Sequence, residues 1–150
     1  MEATWDGLPI SKEKPYGTAI VVFKRIADEI LFLILHRGHV GGENYDGDWA
    51  WGPPAGARLP GEPVEACMKR ELAEETGLEL KAALTDAGDE NWYVYYAEAP
   101  PGAKVSLSEE HDQFEWLPSE KAGARCLPAF VGNQILHVAD LVKHNQAPSE

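Results

Sequence analysis

Gly56 to Leu78 reads GARLPGEPVEACMKRELAEETGL, and it places five glutamates within 23 residues. Pro63 suits the first turn of a helix, where its missing N–H is not needed, and Gly77 suits the position just past the end. The pattern predicts a helix over Pro63–Thr76, entered from a loop. At about 100° per residue, Val64, Cys67, Met68 and Leu72 gather on one side, the face a surface helix buries. Glu71 and Glu75 fall in that same sector, Glu74 sits at its edge, and Ala66, Lys69 and Ala73 lie opposite. A solvated acidic face is the ordinary explanation of a glutamate-rich helix, but it would put the carboxylates on the polar side. Glu71 and Glu75 are also a like-charge i,i+4 pair, which costs roughly a few tenths of a kcal/mol even in water. Carboxylates facing a core are tolerated when a cation sits between them. Mg²⁺ takes carboxylate oxygens, keeps several waters and bridges to phosphates.

The residues before the helix fit that idea. Pro53-Pro54-Ala55-Gly56 is a stiff turn ending in a glycine. Without a Cβ, Gly56 lets the backbone approach closely, so a main-chain carbonyl can face a metal. Arg70 can pair with Glu62 or with a helix glutamate, which would fix the loop against the helix.

At 150 residues the chain is expected to form one domain, 1–150, with enough material for a core. No run of 18 apolar residues suggests a membrane span. The start, MEATWDGLPISKEK, lacks the pattern of a secretory signal. Cys67 and Cys126 have no CxxC or Cys/His ligand spacing, so they read as reduced thiols of a cytoplasmic protein. The net charge of −12 argues against a duplex nucleic acid partner. It also repels phosphorylated substrates unless cations screen the site.

Residues 1–15 read as an irregular arm. Tyr16–Lys24 and Ile30–His36 are apolar, β-rich runs joined by a turn, hence a hairpin. Residues 37–48 contain four glycines and no periodicity, which predicts a mobile loop. Asn91–Ala97 and Phe114–Leu117 read as further strands. Pro128–His144 carries Val131, Ile135, Val138 and Val142 on one helical face. Strands alternate with helices, so the fold class is α/β.

The stretch at Gly56–Leu78 resembles the signature of the Nudix, or MutT-like, hydrolases. That pattern is Gly, five residues, Glu, seven residues, then Arg-Glu-aliphatic-x-Glu-Glu-x-Gly-aliphatic. Gly56, Glu62, Arg70, Glu71, Leu72, Glu74, Glu75, Gly77 and Leu78 fill every specified position. The resemblance implies an α/β/α sandwich with a mixed β-sheet. It implies Mg²⁺ as cofactor, with Mn²⁺ able to substitute, held by Glu71, Glu74, Glu75 and the carbonyl of Ala55. Glu62 would support this metal site from outside, and Arg70 would orient the glutamates. The implied reaction is hydrolysis of a pyrophosphate bond in a nucleoside diphosphate linked to another group. Many members carry a glycine pair where this chain has Ala55-Gly56, and an acidic residue where Leu59 stands.

The segment Glu109-Glu110-His111-Asp112-Gln113-Phe114-Glu115-Trp116-Leu117 resembles the family's second recurring stretch, above all in its diadenosine-tetraphosphate hydrolase branch. By that alignment Glu110 is an extra ligand or the general base. The branch often has Pro-Lys-Gly-His where this chain has Pro54-Ala55-Gly56-Ala57, so a dinucleoside polyphosphate is the favoured substrate rather than an assured one. The alternatives are an ADP-ribose-like sugar nucleotide, an oxidised nucleoside triphosphate, or a non-catalytic nucleotide-sensing domain.

Trp49 and Trp51 precede the metal turn and are candidates to stack on a base. Strand alternation would put both on the same face, with core packing the competing role. Arg37 and Arg58 are the basic residues nearest the site and candidates for outer phosphates. His36, His39, His111, His137 and His144 share no metal-ligand spacing and read as structural or exposed. The arm and the aromatic strand are surfaces that a homodimer could use.

Overall fold

The computed structural model describes residues 9–144. Most of the expected N-terminal arm, residues 1–8, and the side chain of His144 lie outside that range. The hairpin forms as the apolar runs require. Strand β1 (Gly17–Ile26) pairs antiparallel with β2 (Glu29–His36), Phe23 opposite Phe32. A four-residue helical turn, α1 (Gly38–Gly41), interrupts the segment expected to be loop. Two short strands follow, β3 (Trp51–Gly52) on β2 and β4 (Ala55–Ala57) on β1. Helix α2 (Val64–Thr76) carries the glutamates and stops at Gly77, whose φ of 74° is the left-handed conformation that glycine adopts without strain. Then come β5 (Ala82–Leu84), β6 (Trp92–Glu98), β7 (Gln113–Pro118), α3 (Ser119–Arg125) and α4 (Ala129–His144).

The sheet is mixed. β6 runs parallel to β1, whereas β2, β4, β5 and β7 pair antiparallel with their neighbours. Its central strands bury both faces, and their side chains sort by parity. Ala19, Val21, Phe23, Phe32 and Ile34 join α3 and α4 in one core cluster. Ile20, Val22, Leu33 and Leu35 join Met68 and Leu72 of α2 in the other. This is the α/β/α sandwich. Both cysteines are free and buried, Cys126 in the core cluster on the α3 and α4 side and Cys67 on α2. Burial pushes their thiols up, to about 11 for Cys67 and about 12 for Cys126, so neither is a nucleophile at neutral pH.

Helix α4 has two working faces. Val131, Ile135, Val138 and Val142 are buried against the sheet. Phe130, Asn133, Gln134 and His137, spaced i, i+3, i+4, i+7, line a large cavity instead. Ile135 is fully buried. Ile135→Ala should therefore cost about 2–5 kcal/mol, the usual range for truncating a buried aliphatic side chain. Urea unfolding followed by circular dichroism measures it; a loss well under that range would mean that α4 is not clamped to the sheet as described.

Candidate active site

Helix α2 presents Glu71 and Glu75 inward, at 8% and 2% exposure, together with Cys67, Met68 and Leu72. The carboxylates therefore lie on the packing face. Room for one of them comes from the backbone: a Cβ on Gly56 would fall inside the Glu71 carboxyl group. The other is tied to the same turn, because the Ala55 N–H donates to Glu75 Oε1 at 2.9 Å. Strand β4 is fixed in turn by β1, with Ala55 paired to Ala19 and Gly56 to Thr18.

One guanidinium organises the rest. Arg70 donates through Nε and Nη2 to both oxygens of Glu62, at 2.7 and 3.0 Å. Its Nη1 donates to Glu71 at 2.7 Å and Glu74 at 2.9 Å, and Nη2 also reaches the Ala57 carbonyl at 3.0 Å. The rigid fork of five N–H groups suits this role, which a lysine ammonium could not fill. Glu62 also accepts from the Leu59 N–H at 3.0 Å. Both its oxygens are thus occupied, and it braces the loop. Glu74 is about half exposed, with its carboxylate turned to Arg70.

The electrostatics follow from burial. Burial raises the Glu71 carboxyl, and the Arg70 charge only partly offsets this. Glu75 is raised well above the ordinary range by burial first and then by the Glu110 and Glu71 charges. Burial also pushes Glu62 up, but the Arg70 hydrogen bonds and the Leu59 amide outweigh it and leave Glu62 low.

A third wall comes from the segment before β7. One ligand atom each of Glu75, Glu110 and His111 lie within 4.8 Å of one another. Two unit negative charges at such a separation repel by about 3–4 kcal/mol at an effective dielectric of about 20. Glu75 Oε2 and His111 Nδ1 are buried without a hydrogen-bond partner. A crowded carboxylate pair with orphaned donor atoms fits a divalent cation. His111 itself is pushed down to about 3, mainly by burial and then by Arg37 and His39, so its ring is neutral.

Residues 36–39 hold this segment in place. Asp112 N–H donates to the His36 carbonyl at 3.1 Å, and the His39 ring meets the Glu110 carbonyl at 3.2 Å. His36 is buried, and its two ring nitrogens contact Asp112 Oδ1 and the Tyr45 carbonyl, each at 2.6 Å. A carbonyl and a carboxylate are both acceptors, an arrangement that favours the doubly protonated ring. Burial works against that charge; the Tyr45 carbonyl and Asp112 outweigh it and raise the group.

The cavity beside these carboxylates has a volume of about 1140 Å³. Arg37 lines it, 3.8 Å from Glu110 Oε2. Arg58, expected near phosphates, does not reach it. Its guanidinium donates to the carbonyls of Glu62, Glu13, Lys14 and Pro15, so it clamps the loop to the chain segment before β1. The two tryptophans do not share a face. Trp49 lies in a turn with φ of 68°, outside any strand, and is 47% exposed. Its N–H is held by the Leu127 carbonyl at 2.6 Å, and its ring meets Phe130 edge-on at 5.5 Å. Trp51 is buried at 3% exposure, between the Arg125 guanidinium at 4.4 Å and the His36 ring at 4.9 Å. Both rings line the cavity; Trp49 is the exposed one and offers the larger stacking surface, while Trp51 is held by packing.

Sequence reasoning missed His111, Phe130, Asn133 and Gln134. By spacing along the chain His111 reads as structural or exposed, because Glu75, whose ligand atom lies within 4.8 Å of it, is 36 positions away. For α4 the signal was present: a second i, i+3, i+4, i+7 set runs beside the apolar stripe.

Residues 14–136 match the family model of the NUDIX domain. The chain belongs to the Nudix hydrolases, a family that acts on pyrophosphate bonds and generally uses divalent metals. It is 32% identical over 84 residues to an RNA pyrophosphohydrolase of Rhodopseudomonas palustris (strain BisA53), covering 56% of this chain and 46% of that protein. The match thus spans about half the length of that curated relative. The fold resembles that of a C. elegans Ap4A hydrolase binary complex, with a TM-score of 0.68 and 21% identity over 85% of this chain and 98% of that one. It also resembles a Nudix hydrolase from M. smegmatis, with a TM-score of 0.72 and 13% identity over 99% and 97% of the two chains. Among the described residues no helix is long and apolar enough to cross a membrane.

The Arg70 cluster makes a pH prediction for the metal-free protein. Glu62 titrates below the ordinary glutamate range in the folded state, so its stabilising contribution is present above that range and is lost as the pH falls through the folded value. The stability gap between wild type and Glu62→Gln should hold at neutral pH and shrink in acid. Urea midpoints measured from pH 7 down to about 3 test this; a gap that stays constant in acid would rule it out.

Proposed function

We propose that this protein is a Mg²⁺-dependent pyrophosphohydrolase, with Mn²⁺ able to replace Mg²⁺. Its substrates would be nucleoside diphosphates linked to a second moiety, with dinucleoside polyphosphates favoured. The observation that carries the reading is the buried pair Glu71 and Glu75 opening onto a cavity whose far wall is aromatic and amide-bearing. Glu71, Glu74, Glu75 and the Ala55 carbonyl would hold the metal, and Glu110 would complete the carboxylate set from the opposite side. A cation held there would offset charge on phosphate oxygens and acidify a bound water. Arg70 and Glu62 keep the carboxylates in register with the loop. Arg37, beside Glu110, is placed for an outer phosphate.

At the other end of the cavity, Trp49 and Phe130 offer ring surfaces to a base, a contact worth roughly 1–3 kcal/mol. Asn133 and Gln134 bring amides that can donate to and accept from a base edge. Size favours an extended substrate: small-ligand sites run about 300–1,000 Å³, and this cavity, at about 1140 Å³, is larger. The resemblance of Glu109–Leu117 to the diadenosine-tetraphosphate branch points the same way.

Two measurements test the proposal. Glu75→Gln should lower kcat by about 10²-fold or more while the melting temperature stays near that of wild type; full turnover in that variant would sink it. Trp49→Ala should raise KM by roughly 5–150-fold with a smaller change in kcat, as expected for a lost stacking contact. The substrate class is decided by a panel of dinucleoside polyphosphates, ADP-ribose, sugar nucleotides, oxidised nucleoside triphosphates and 5′-triphosphate RNA, with products identified in Mg²⁺ and Mn²⁺. A higher kcat/KM on any other class overturns the dinucleoside preference, and tight binding without product would make the domain a sensor.

A further inference from the structure

The geometry points to His111 as a nitrogen ligand of the metal site, forming with Glu75 and Glu110 a mixed nitrogen–oxygen position that binds Mn²⁺ more tightly than Mg²⁺. This rests on the metal-dependent reading above and adds a donor that the glutamate signature does not contain.

Three observations support it. The first is distance. Ligand atoms of Glu75, Glu110 and His111 all lie within 4.8 Å of one another. Two ligands facing each other across an ion, each bonded at about 2.0–2.2 Å, stand about 4 Å apart. A contraction of less than 1 Å would bring the three onto one ion. The second is unsatisfied polarity. His111 is 5% exposed and Glu75 is 2% exposed, yet His111 Nδ1 and Glu75 Oε2 have no hydrogen-bond partner. A buried polar atom left unpaired costs about 1–3 kcal/mol, and an ion bonded through these two atoms would remove both deficits. The third is preorganisation. Glu75 is fixed by the Ala55 N–H at 2.9 Å, and the Glu110–Asp112 segment is fixed by His36 and His39 at 2.6–3.2 Å. The donors arrive from two separate elements, each anchored independently.

The ion follows from the donors. Mg²⁺ demands near-octahedral oxygen coordination and retains most of its waters. Carboxylate oxygens suit Mg²⁺ and Mn²⁺ alike, whereas an imidazole nitrogen suits a transition ion better than Mg²⁺, so between these two ions the nitrogen donor favours Mn²⁺.

The test is pulsed electron paramagnetic resonance of the full chain, stripped of metal and then saturated with Mn²⁺. Wild type should show nitrogen modulation of directly bound strength, and ¹⁵N-histidine labelling should shift it. His111→Gln should lose the modulation and bind Mn²⁺ roughly tenfold or more weakly, in line with the 10–100-fold cost of disturbing supporting groups around a metal, while Mg²⁺ affinity by calorimetry moves less. The wild-type spectrum stands without the variant, so misfolding of the variant leaves the test intact. Mn²⁺ bound without histidine nitrogen coupling, or coupling that persists in His111→Gln, overturns the assignment of His111 and leaves the carboxylate site standing. Failure of wild type to bind Mn²⁺ or Mg²⁺ at all overturns the metal-dependent reading with it.

Discussion

Two carboxylates occupy positions on α2 that packing alone would give to leucine, and the surrounding structure accommodates that placement. Glu71 fits only because Gly56 has no side chain. Glu75 is held by an amide of the same turn. The turn stays under the helix because β4 pairs with β1, the strand at the centre of the sheet. An isolated ionised carboxylate in such a place is strongly disfavoured. Both groups are accordingly raised, Glu75 well above the ordinary range. The helix thus stores an unmet demand for positive charge beside an open cavity. Arg70 meets part of it for Glu71 and leaves Glu75 Oε2 without a hydrogen-bond partner.

The sandwich delivers the second half of the site from the other layer. Parity along β1 and β2 sends Ile20, Val22, Leu33 and Leu35 to α2 and sends Val21, Phe23, Phe32 and Ile34 to the α4 side. Both helices are therefore referenced to the same strands. The cavity between the glutamates and the α4 face of Phe130, Asn133 and Gln134 inherits its width from that shared sheet. The backbone of Trp49, in the left-handed region that bulky residues seldom adopt, joins the wall at its rim and is pinned by the Leu127 carbonyl.

Much of this was legible in the chain. The hairpin, α2, β6, β7 and α4 each had a periodicity or a boundary residue long enough to read. The inward direction of Glu71 and Glu75 came from a helical wheel, and the partners of Arg70 came from spacing. Short elements were not legible: β3, β4 and β5 span two or three residues, and no periodicity can be read from so few. The placement of Trp49 failed for a related reason. Alternation assumes an extended strand, and one residue with positive φ breaks the count. Arg58 and His111 failed because proximity in the chain says nothing about which way a long side chain turns or which distant element it meets. Arg58 turns back to four carbonyls, while His111, in the segment before β7, comes within 4.8 Å of a glutamate of α2.

The Arg70 hub couples the residues around it. One guanidinium serves Glu62, Glu71, Glu74 and the Ala57 carbonyl at once. Groups that share a partner do not respond independently to substitution. Changing Glu62 frees two donors of Arg70 and alters how firmly it holds Glu71; changing Gly56 displaces Glu71 and strains the same hub. A single exchange at any of these positions leaves another member unsatisfied. The glutamate motif therefore responds to substitution as one unit, whereas the α4 face makes none of the hydrogen bonds described for Arg70.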